Sequence, residues 1–362
     1  MRECRKHSAQ WQDGESRWVC NKLEAPTLNN LYPWREIFRK TSYVLSNELF
    51  STGIITRTLP SKGYPLKKGL FFILLLAFWV SVFAQERRNS LYVSTQWLSE
   101  NLNDPSLVVL HVGFNRREYL TGHVPGARFL WYNWLAVSNP DASTEMPSVE
   151  AADTLLESFG ITKNSTIIVC FGGANVSTTT RMFLALSYFG FGNQISVLDG
   201  GFEAWKSEKR EVSTEIPVVK RTSLSLQVNP SVIADADWVK ANLTNSNVCI
   251  IDARGKNFYD GNGGGIVRTG HIKGAKSIPF TTVVDSTNRL KDIATLQKMF
   301  EDAGVKKGMK VVSYCHVGQQ ATVIYSVAQL LGFDAAVYDG SFEDWNVRGD
   351  DYPVEKPEPE KK

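Results

Sequence analysis

One cysteine in this sequence has the setting of a nucleophile, because it stands between a strand-like run and a helix-like run. Cys315 follows Lys310-Val-Val-Ser-Tyr314 and opens the segment Cys315-His-Val-Gly-Gln-Gln320. The helix that follows should present unpaired backbone N–H groups to the sulfur, and such groups stabilise anions. Gly318 permits the tight curl that lets several N–H groups converge on one point. We therefore expect the pKa of the Cys315 thiol to lie below the free value of about 8.5.

The other cysteines are weaker candidates for chemistry. The chain has five in all: Cys4, Cys20, Cys170, Cys249 and Cys315. They form no CxxC pair and no spacing with histidine that would build a zinc site, so we expect no metal and no cofactor. Cys249 lies inside the apolar run Val-Cys-Ile-Ile and should be a core residue. A buried, inert thiol is also the alternative interpretation of Cys315.

The elements that position Cys315 occur twice along the chain. A helix-like segment from Ser94 precedes the run Leu107-Val-Val-Leu-His-Val112, and a second one from Asp235 precedes Val248-Cys-Ile-Ile-Asp252. Such short β-branched runs are typical of buried parallel strands. Matching the two copies places Phe171, rather than Cys170, opposite Cys315. The first copy should therefore lack a nucleophile and support the interface.

Further paired motifs follow in the same order in each copy. Glycine turns stand at Gly122-His-Val-Pro-Gly-Ala127 and Gly270-His-Ile-Lys-Gly-Ala275, and we interpret both histidines as residues that fix a turn. The copies close with Asp-Gly-Gly-Phe-Glu-Ala-Trp205 and Asp-Gly-Ser-Phe-Glu-Asp-Trp345. Strands that alternate with helices predict an α/β fold, with a mostly parallel sheet flanked by helices in each copy.

The repeats divide the chain into successive parts. Residues 90–205 and 231–355 are predicted to form the two domains, and the polar stretch 206–230 the linker between them. Residues 66–84 have the three-part pattern of a secretory signal peptide. The preface over residues 1–65 shows no clear periodicity, and we interpret it as untranslated or disordered.

The signal-peptide pattern predicts export to the periplasm or the medium. Leu66-Lys-Lys begins the segment and Val82-Phe-Ala84 ends it, as a signal peptidase requires. The apolar run over residues 70–83 is shorter than the roughly 20 residues that span a bilayer, which favours cleavage after Ala84. The alternative is a retained anchor that holds the protein at the membrane.

The paired Gly-His turns, the two Asp-Gly-x-Phe-Glu-x-Trp endings and the single cysteine loop together resemble the tandem rhodanese domains of thiosulfate and 3-mercaptopyruvate sulfurtransferases. The resemblance covers about residues 90–355. It implies that Cys315 takes a sulfane sulfur from a donor such as thiosulfate as a persulfide. The sulfur would then pass to cyanide or a thiol, in two steps of covalent catalysis.

The same resemblance suggests which residues surround the donor. The anion should contact the cysteine loop, which comprises His316, Val317, Gly318, Gln319 and Gln320. His316 could add charge when protonated, although an exposed histidine without that role is an equal alternative. Arg268 is expected to bind the anionic group of the donor. Asp252 and Arg254 are expected to form a structural ion pair that fixes a loop.

Two other functions share some of these features. Phosphatases of related fold also use a cysteine loop before a helix, but theirs ends in arginine, and Gln320 with Ala321 offers no bidentate clamp for a phosphoryl group. A non-catalytic module that binds or senses sulfur species in the cell envelope is the second alternative, since His316-Val317 is unusual for either sulfurtransferase subclass.

The net charge of +3, from 40 basic and 37 acidic residues, gives no reason to expect nucleic acid as a partner. Small-molecule donors and acceptors are expected instead.

Overall fold

The structure is a computed structural model that describes residues 91–139, 142–173, 175–264 and 267–357. The predicted preface over residues 1–65 and the predicted signal peptide over residues 66–84 lie outside the described residues. Within the described ranges, no helix has the length and apolar character that crossing a bilayer requires.

The first domain is built around one parallel sheet. Its strands are β1 (Tyr92–Val93), β2 (Leu107–Gly113), β3 (Arg128–Trp131), β4 (Thr166–Phe171) and β5 (Ile195–Leu198). Its helices are α1 (Thr95–Asn101), α2 (Arg116–Thr121), α3 (Val149–Ser158), α4 (Val176–Leu186) and α5 (Gly201–Ser207). The strand order is β1-β5-β4-β2-β3, and every pairing is parallel.

The second domain repeats this plan. Its strands are β6 (Ile233–Ala234), β7 (Val248–Asp252), β8 (His271–Ile272), β9 (Lys276–Ser277), β10 (Lys310–Tyr314), β11 (Asp334–Tyr338) and β12 (Val354–Glu355). Its helices are α6 (Ala236–Ala241), α7 (Lys256–Tyr259), α8 (Ile293–Asp302), α9 (Ala321–Leu330) and α10 (Ser341–Val347). The main sheet has the parallel order β6-β11-β10-β7-β9, and β12 pairs antiparallel with β8 beside it. The two parallel sheets confirm the predicted α/β fold class.

The first helix of each domain begins at a side-chain cap. The Ser94 hydroxyl accepts a hydrogen bond from the Trp97 amide at 3.0 Å, and the Asp235 carboxylate accepts one from the Trp238 amide at 2.7 Å. Such caps satisfy a backbone donor that the helix itself leaves unpaired. The same local chemistry therefore starts both copies of the repeat.

The strand register fixes the correspondence between the copies. His111 pairs with Cys170 in the first sheet, and Asp252 pairs with Tyr314 in the second. The residues that follow, Phe171 and Cys315, therefore take equivalent places, as the sequence matching predicts.

Helices α4 and α9 join the two domains. One buried apolar cluster contains residues of both, and the ring centroids of Phe183 and Tyr325 lie 6.0 Å apart within it. The hydroxyl groups of Thr180 and Thr322 form a buried hydrogen bond of 2.7 Å across the same contact. The cysteine loop precedes α9, so it lies where the domains meet.

Candidate active site in the Cys315 loop

The Cys315 sulfur lies in a ring of backbone amides. The loop runs from the end of β10 to the first residue of α9, and Cys315 is 1% exposed. Four backbone N–H groups donate to its sulfur: those of Val317, Gly318, Gln320 and Ala321. The loop therefore builds the anion cradle that the order of strand, loop and helix predicts.

Burial has a larger effect on the thiol than the amides do. Loss of solvent raises the pKa of Cys315 above its usual value, and the four amide donors offset only part of that rise. The prediction of a lowered pKa is therefore wrong. Desolvation penalises the thiolate before a ligand is present, because the buried sulfur has lost water as a partner.

The start of α10 holds the first residues of the loop. The Cys315 amide donates to the Ser341 hydroxyl at 3.1 Å, and the Cys315 carbonyl accepts from the Phe342 amide at 3.0 Å. Ser341 has a φ of 52°, in the left-handed region that few residues other than glycine adopt. Its hydroxyl also donates to the Tyr338 carbonyl at 2.8 Å, so two hydrogen bonds stabilise this conformation.

The first domain holds the other end of the loop. The Thr144 hydroxyl donates to the Val317 carbonyl, and the Gln319 side-chain amide donates to the Ser177 hydroxyl at 3.1 Å. The sequence predicts that the first domain supports the interface, but it does not identify Thr144 and Ser177 as the residues that do so. Their small polar side chains carry no periodic signal that would have identified them.

Gly318 lies directly against a buried interdomain ion pair. Its φ is 82°, and a Cβ atom there would lie 2.5 Å from the Asp339 carbonyl oxygen. The Asp339 carboxylate pairs with Arg181, whose guanidinium is fully buried and also donates to the Thr144 carbonyl. Arg181 was missed from the sequence, although a lone arginine in the buried helix α4 is a visible signal.

Tyr132 of the first domain also faces this region. Burial raises the pKa of its hydroxyl, and charges at Arg181, Cys315 and Asp339 act on it. Among the described residues the hydroxyl has no hydrogen-bond partner. It is therefore a donor that a ligand at the loop could use.

His316 is a neutral residue in this setting. Its ring lies edge-on to Phe258 at a centroid distance of 4.4 Å. Burial lowers the pKa of His316, and the nearby positive charge of Arg254 lowers it further, against an opposing effect of Asp252. The neutral imidazole therefore predominates at pH 7, which favours the alternative in which His316 supplies no charge.

Arg268 does not point its charge at the cysteine loop. Its Nε donates to the Asn346 carbonyl at 3.0 Å, and its Nη1 donates to the Tyr352 carbonyl at 2.8 Å. Nη1 also bonds the Gly349 carbonyl, and Nη2 bonds that of Trp345. In the structure these donors fix the end of α10, and binding of the donor anion by Arg268 stays a prediction.

Asp252 and Arg254 form the structural ion pair that the sequence predicts. Both side chains are fully buried, and Arg254 Nη2 lies 2.6 Å from Asp252 Oδ2. The Tyr314 hydroxyl donates to the same carboxylate at 2.7 Å, and Arg254 Nη2 also donates to the Gly270 carbonyl at 2.6 Å. Arg254 Nη1 has no hydrogen-bond partner among the described residues. The pair thus connects β7, β10 and the Gly-His turn.

The remaining predicted site features agree with a core role. His123 and His271 bond the carbonyls of Tyr119 and Tyr259 through Nδ1, at 2.7 and 2.8 Å, and so fix their turns as predicted. Burial raises the pKa of Cys170 to about 12 and that of Cys249 to about 11. Over the described ranges, no group of three or more His, Cys, Asp or Glu residues is arranged to hold a metal ion.

These features define a tandem α/β protein with one cysteine held in an amide cradle between its domains. The family model of the Rhodanese-like domain matches residues 94–208 and again residues 235–348. The chain therefore belongs to the rhodanese family, with two such domains in tandem.

Several relatives that match over more than nine tenths of their own length are named as sulfurtransferases. The thiosulfate sulfurtransferase of Rattus norvegicus is 28% identical over 272 residues, which cover 70% of this chain and 91% of the relative. Thiosulfate/3-mercaptopyruvate sulfurtransferase 2 of Arabidopsis thaliana is 26% identical, with 78% and 93% covered. The sulfur carrier protein TtuD of Thermus thermophilus is 29% identical, with 70% and 92% covered. The chain is thus a rhodanese-type sulfurtransferase that acts between a small-molecule sulfur donor and an acceptor.

Solved structures share the architecture. YnjE aligns with a TM-score of 0.67 at 21% identity, over 74% of this chain and 69% of that one. The anaerobic ergothioneine biosynthesis enzyme from Chlorobium limicola aligns with a TM-score of 0.65 at 20% identity, over 74% and 71%. At this level of identity the likeness establishes the fold.

Proposed function

We propose that Cys315 carries the transferred sulfur as a persulfide. The donor is thiosulfate or a related molecule such as 3-mercaptopyruvate, and the acceptor is cyanide or a thiol. The convergence of four backbone N–H groups on the Cys315 sulfur is the observation that supports this proposal. Amide dipoles aimed at a buried point favour an anion there, and a persulfide is a stronger acid than a thiol.

With thiosulfate, the proposed reaction has two displacement steps. The Cys315 thiol first loses its proton to solvent, and the thiolate attacks the outer sulfur of the donor. A new S–S bond forms as the donor S–S bond breaks, and sulfite leaves with the electron pair. The acceptor then attacks the outer sulfur of the persulfide, and Cys315 departs as the thiolate.

Burial sets a condition on the first step. Because Cys315 is 1% exposed, a donor reaches its sulfur only when a neighbouring side chain moves aside. His316 and Val317 are the half-buried loop residues next to Cys315, and we assign this movement to their side chains. The loop residues 316–320 then surround the donor, with Tyr132 supplying a hydroxyl from the first domain.

A sulfur-transfer assay with matched cysteine variants tests the proposal. Purified protein is incubated with thiosulfate and cyanide, and thiocyanate formation is followed for the wild type, Cys315→Ser, Cys170→Ser and Cys249→Ser. Activity should be lost in Cys315→Ser alone. Mass analysis after thiosulfate treatment should show an adduct of about 32 Da, one sulfur atom, on the peptide that contains Cys315. Activity that persists in Cys315→Ser would overturn the assignment.

A non-catalytic sulfur-binding module is the second candidate. The raised pKa of Cys315 favours it, since a thiol that resists ionisation is a slow nucleophile. This candidate predicts the adduct on Cys315 without steady formation of thiocyanate or of a thiol persulfide. The two readouts of the same experiment therefore separate it from the enzyme.

We also propose that the protein acts after export. The signal-peptide pattern over residues 66–84 supports this, and a retained anchor is the alternative. N-terminal sequencing of the natural protein tests it, because cleavage after Ala84 yields a chain that begins at Gln85. A chain that still contains residues 66–84 would contradict cleavage.

A further inference from the structure

The first domain turns the carboxyl edge of its sheet toward the cysteine loop. Strands β3 and β4 both pair in parallel with β2, so their carboxyl ends lie at the same edge. Helix α4 starts from that edge, and Ser177 in its first turn accepts a hydrogen bond from the Gln319 side chain of the loop. Tyr132 is the residue that follows β3. It therefore extends from the edge of the sheet that meets the loop.

Apolar packing holds the Tyr132 ring in place. The residue is 4% exposed and belongs to the same buried apolar cluster as Cys315. The centroid of its ring lies 4.6 Å from that of Phe114. The charges of Cys315 and of the ion pair between Arg181 and Asp339 act on its hydroxyl. The hydroxyl thus approaches the loop from the side of the first domain.

This hydroxyl is a buried donor without a partner. Among the described residues, none forms a hydrogen bond with the Tyr132 oxygen. Such a group destabilises a folded protein, and most buried hydroxyls are paired. Burial raises the pKa of Tyr132, so the hydroxyl keeps its proton and remains a donor at neutral pH. Phenylalanine would fill the same space without this cost, which indicates that the hydroxyl serves an acceptor that arrives from outside the chain.

The Cys315 sulfur is not that acceptor in the donor-free protein, since the hydroxyl does not bond it. Four backbone N–H groups from the loop and the start of α9 already donate to this sulfur. A persulfide places a second sulfur about 2 Å farther out, the length of an S–S bond. This outer sulfur carries the negative charge, and in a buried site it has lost water as a partner.

We propose that the Tyr132 hydroxyl donates a hydrogen bond to the outer sulfur of the Cys315 persulfide. The inference rests on the proposed persulfide and adds a residue of the first domain to its chemistry. The outer sulfur extends away from the loop amides and toward Tyr132. No proton is transferred, because the phenol donates its hydrogen bond and stays neutral. The domain without a nucleophile thereby stabilises the anion that the other domain carries.

A pH titration of the loaded protein tests the proposal. Wild type and Tyr132→Phe are treated with thiosulfate, the excess is removed, and the near-ultraviolet absorbance of the persulfide anion is followed against pH. A hydrogen bond to the charged form favours that form. The persulfide of Tyr132→Phe should therefore titrate at least about one pH unit higher, a tenfold change in the ionisation equilibrium.

Tyr119→Phe is the matched control. Tyr119 is also a buried tyrosine of the first domain, but its hydroxyl donates to the Ala127 carbonyl at 2.8 Å. Its persulfide should titrate as in the wild type. Urea denaturation of the donor-free proteins should give the opposite order. Tyr119→Phe should be less stable than the wild type because it loses a hydrogen bond, and Tyr132→Phe should be at least as stable because it loses an unpaired donor.

Two results would overturn the proposal. One is a persulfide that titrates at the same pH in Tyr132→Phe and in the wild type. The other is a loss of donor-free stability in Tyr132→Phe as large as that in Tyr119→Phe, because the hydroxyl would then have a partner before sulfur arrives. Either result leaves the persulfide itself in place. The absence of any sulfur adduct on Cys315 in the wild type would instead refute the proposed function, and the role of Tyr132 with it.

Discussion

Arg181 of the first domain and Asp339 of the second form a buried ion pair against Gly318 of the cysteine loop. The Arg181 side chain is fully buried, that of Asp339 is 12% exposed, and Arg181 Nη2 lies 3.2 Å from Asp339 Oδ2. The same guanidinium bonds the Thr144 carbonyl, and the Thr144 hydroxyl bonds the Val317 carbonyl. The domain without a nucleophile therefore sets the shape of the loop that has one.

Replacement of Arg181 with methionine should destabilise the protein by about 3–5 kcal/mol, because it leaves the Asp339 carboxylate buried without a partner. Sulfur transfer should fall at least about tenfold, since the loop loses its support through Thr144. Urea denaturation and the thiocyanate assay measure the two effects. The double variant with Asp339→Asn should be less destabilised than the sum of the single variants.

The exposed pair of Lys298 and Asp302 on α8 provides the control for this prediction. Its atoms lie 2.8 Å apart, but both side chains are mostly in solvent. Lys298→Met should leave stability and activity unchanged, as exposed pairs contribute little. A loss in Arg181→Met no larger than that in Lys298→Met would contradict the role of the buried pair.

Gly318→Ala should slow sulfur transfer and should destabilise the protein by more than the strain of a left-handed backbone conformation. The added Cβ would lie 2.5 Å from a backbone oxygen of Asp339, so the loop must shift and the amide cradle with it. Gly349→Ala is the matched control, because Gly349 has a φ of 84° and nothing within 4 Å of an added Cβ. The control should lose roughly 1–2 kcal/mol of stability and keep its activity. Equal transfer rates in the two variants would show that the loop tolerates the shift.

The repeat explains why so much of the fold could be predicted. The capping side chains of Ser94 and Asp235 specify where the first helix of each domain begins, and β-branched runs specify the buried strands. Since the same order of helices, strands and turns occurs twice, an incorrect assignment in one copy disagrees with the assignment in the other. The matching of Phe171 with Cys315 follows from this comparison, and the strand register confirms it.

The properties that the sequence does not specify are those that tertiary packing decides. The amide cradle around Cys315 follows from the chain order of strand, loop and helix, but the degree of burial that raises its pKa does not. Arg268 has the charge to bind an anion, yet carbonyl groups up to 84 residues away in sequence occupy its donors. Arg181 was missed because its partner Asp339 lies in the other domain.

Alkylation of Cys315 in the donor-free protein should accelerate with pH up to at least pH 9. Burial raises the pKa of the thiol, so the thiolate fraction keeps increasing by about tenfold per pH unit below that value. The rate constant with iodoacetamide, measured in a background with Cys4, Cys20, Cys170 and Cys249 all replaced by serine, isolates Cys315. A plateau below pH 8 would mean that the amide donors outweigh burial.

Acidification should destabilise the first domain through His111. Burial, followed by the charges of His123 and Lys206, lowers the pKa of His111 to about 4, whereas the unfolded chain titrates near 6.5. The folded state therefore resists the proton. The stability from neutral His111 is complete above pH 6.5 and is lost as the pH falls toward 4, by up to about 3 kcal/mol. Urea denaturation of the wild type and of His111→Gln at pH 7, 5.5 and 4.5 gives the free energy of unfolding of each protein at each pH. The effect of His111 is the extra loss of unfolding free energy that the wild type shows as the pH falls. All other titrating groups, including His316, are common to both proteins and cancel, so parallel stability curves would contradict the lowered pKa of His111.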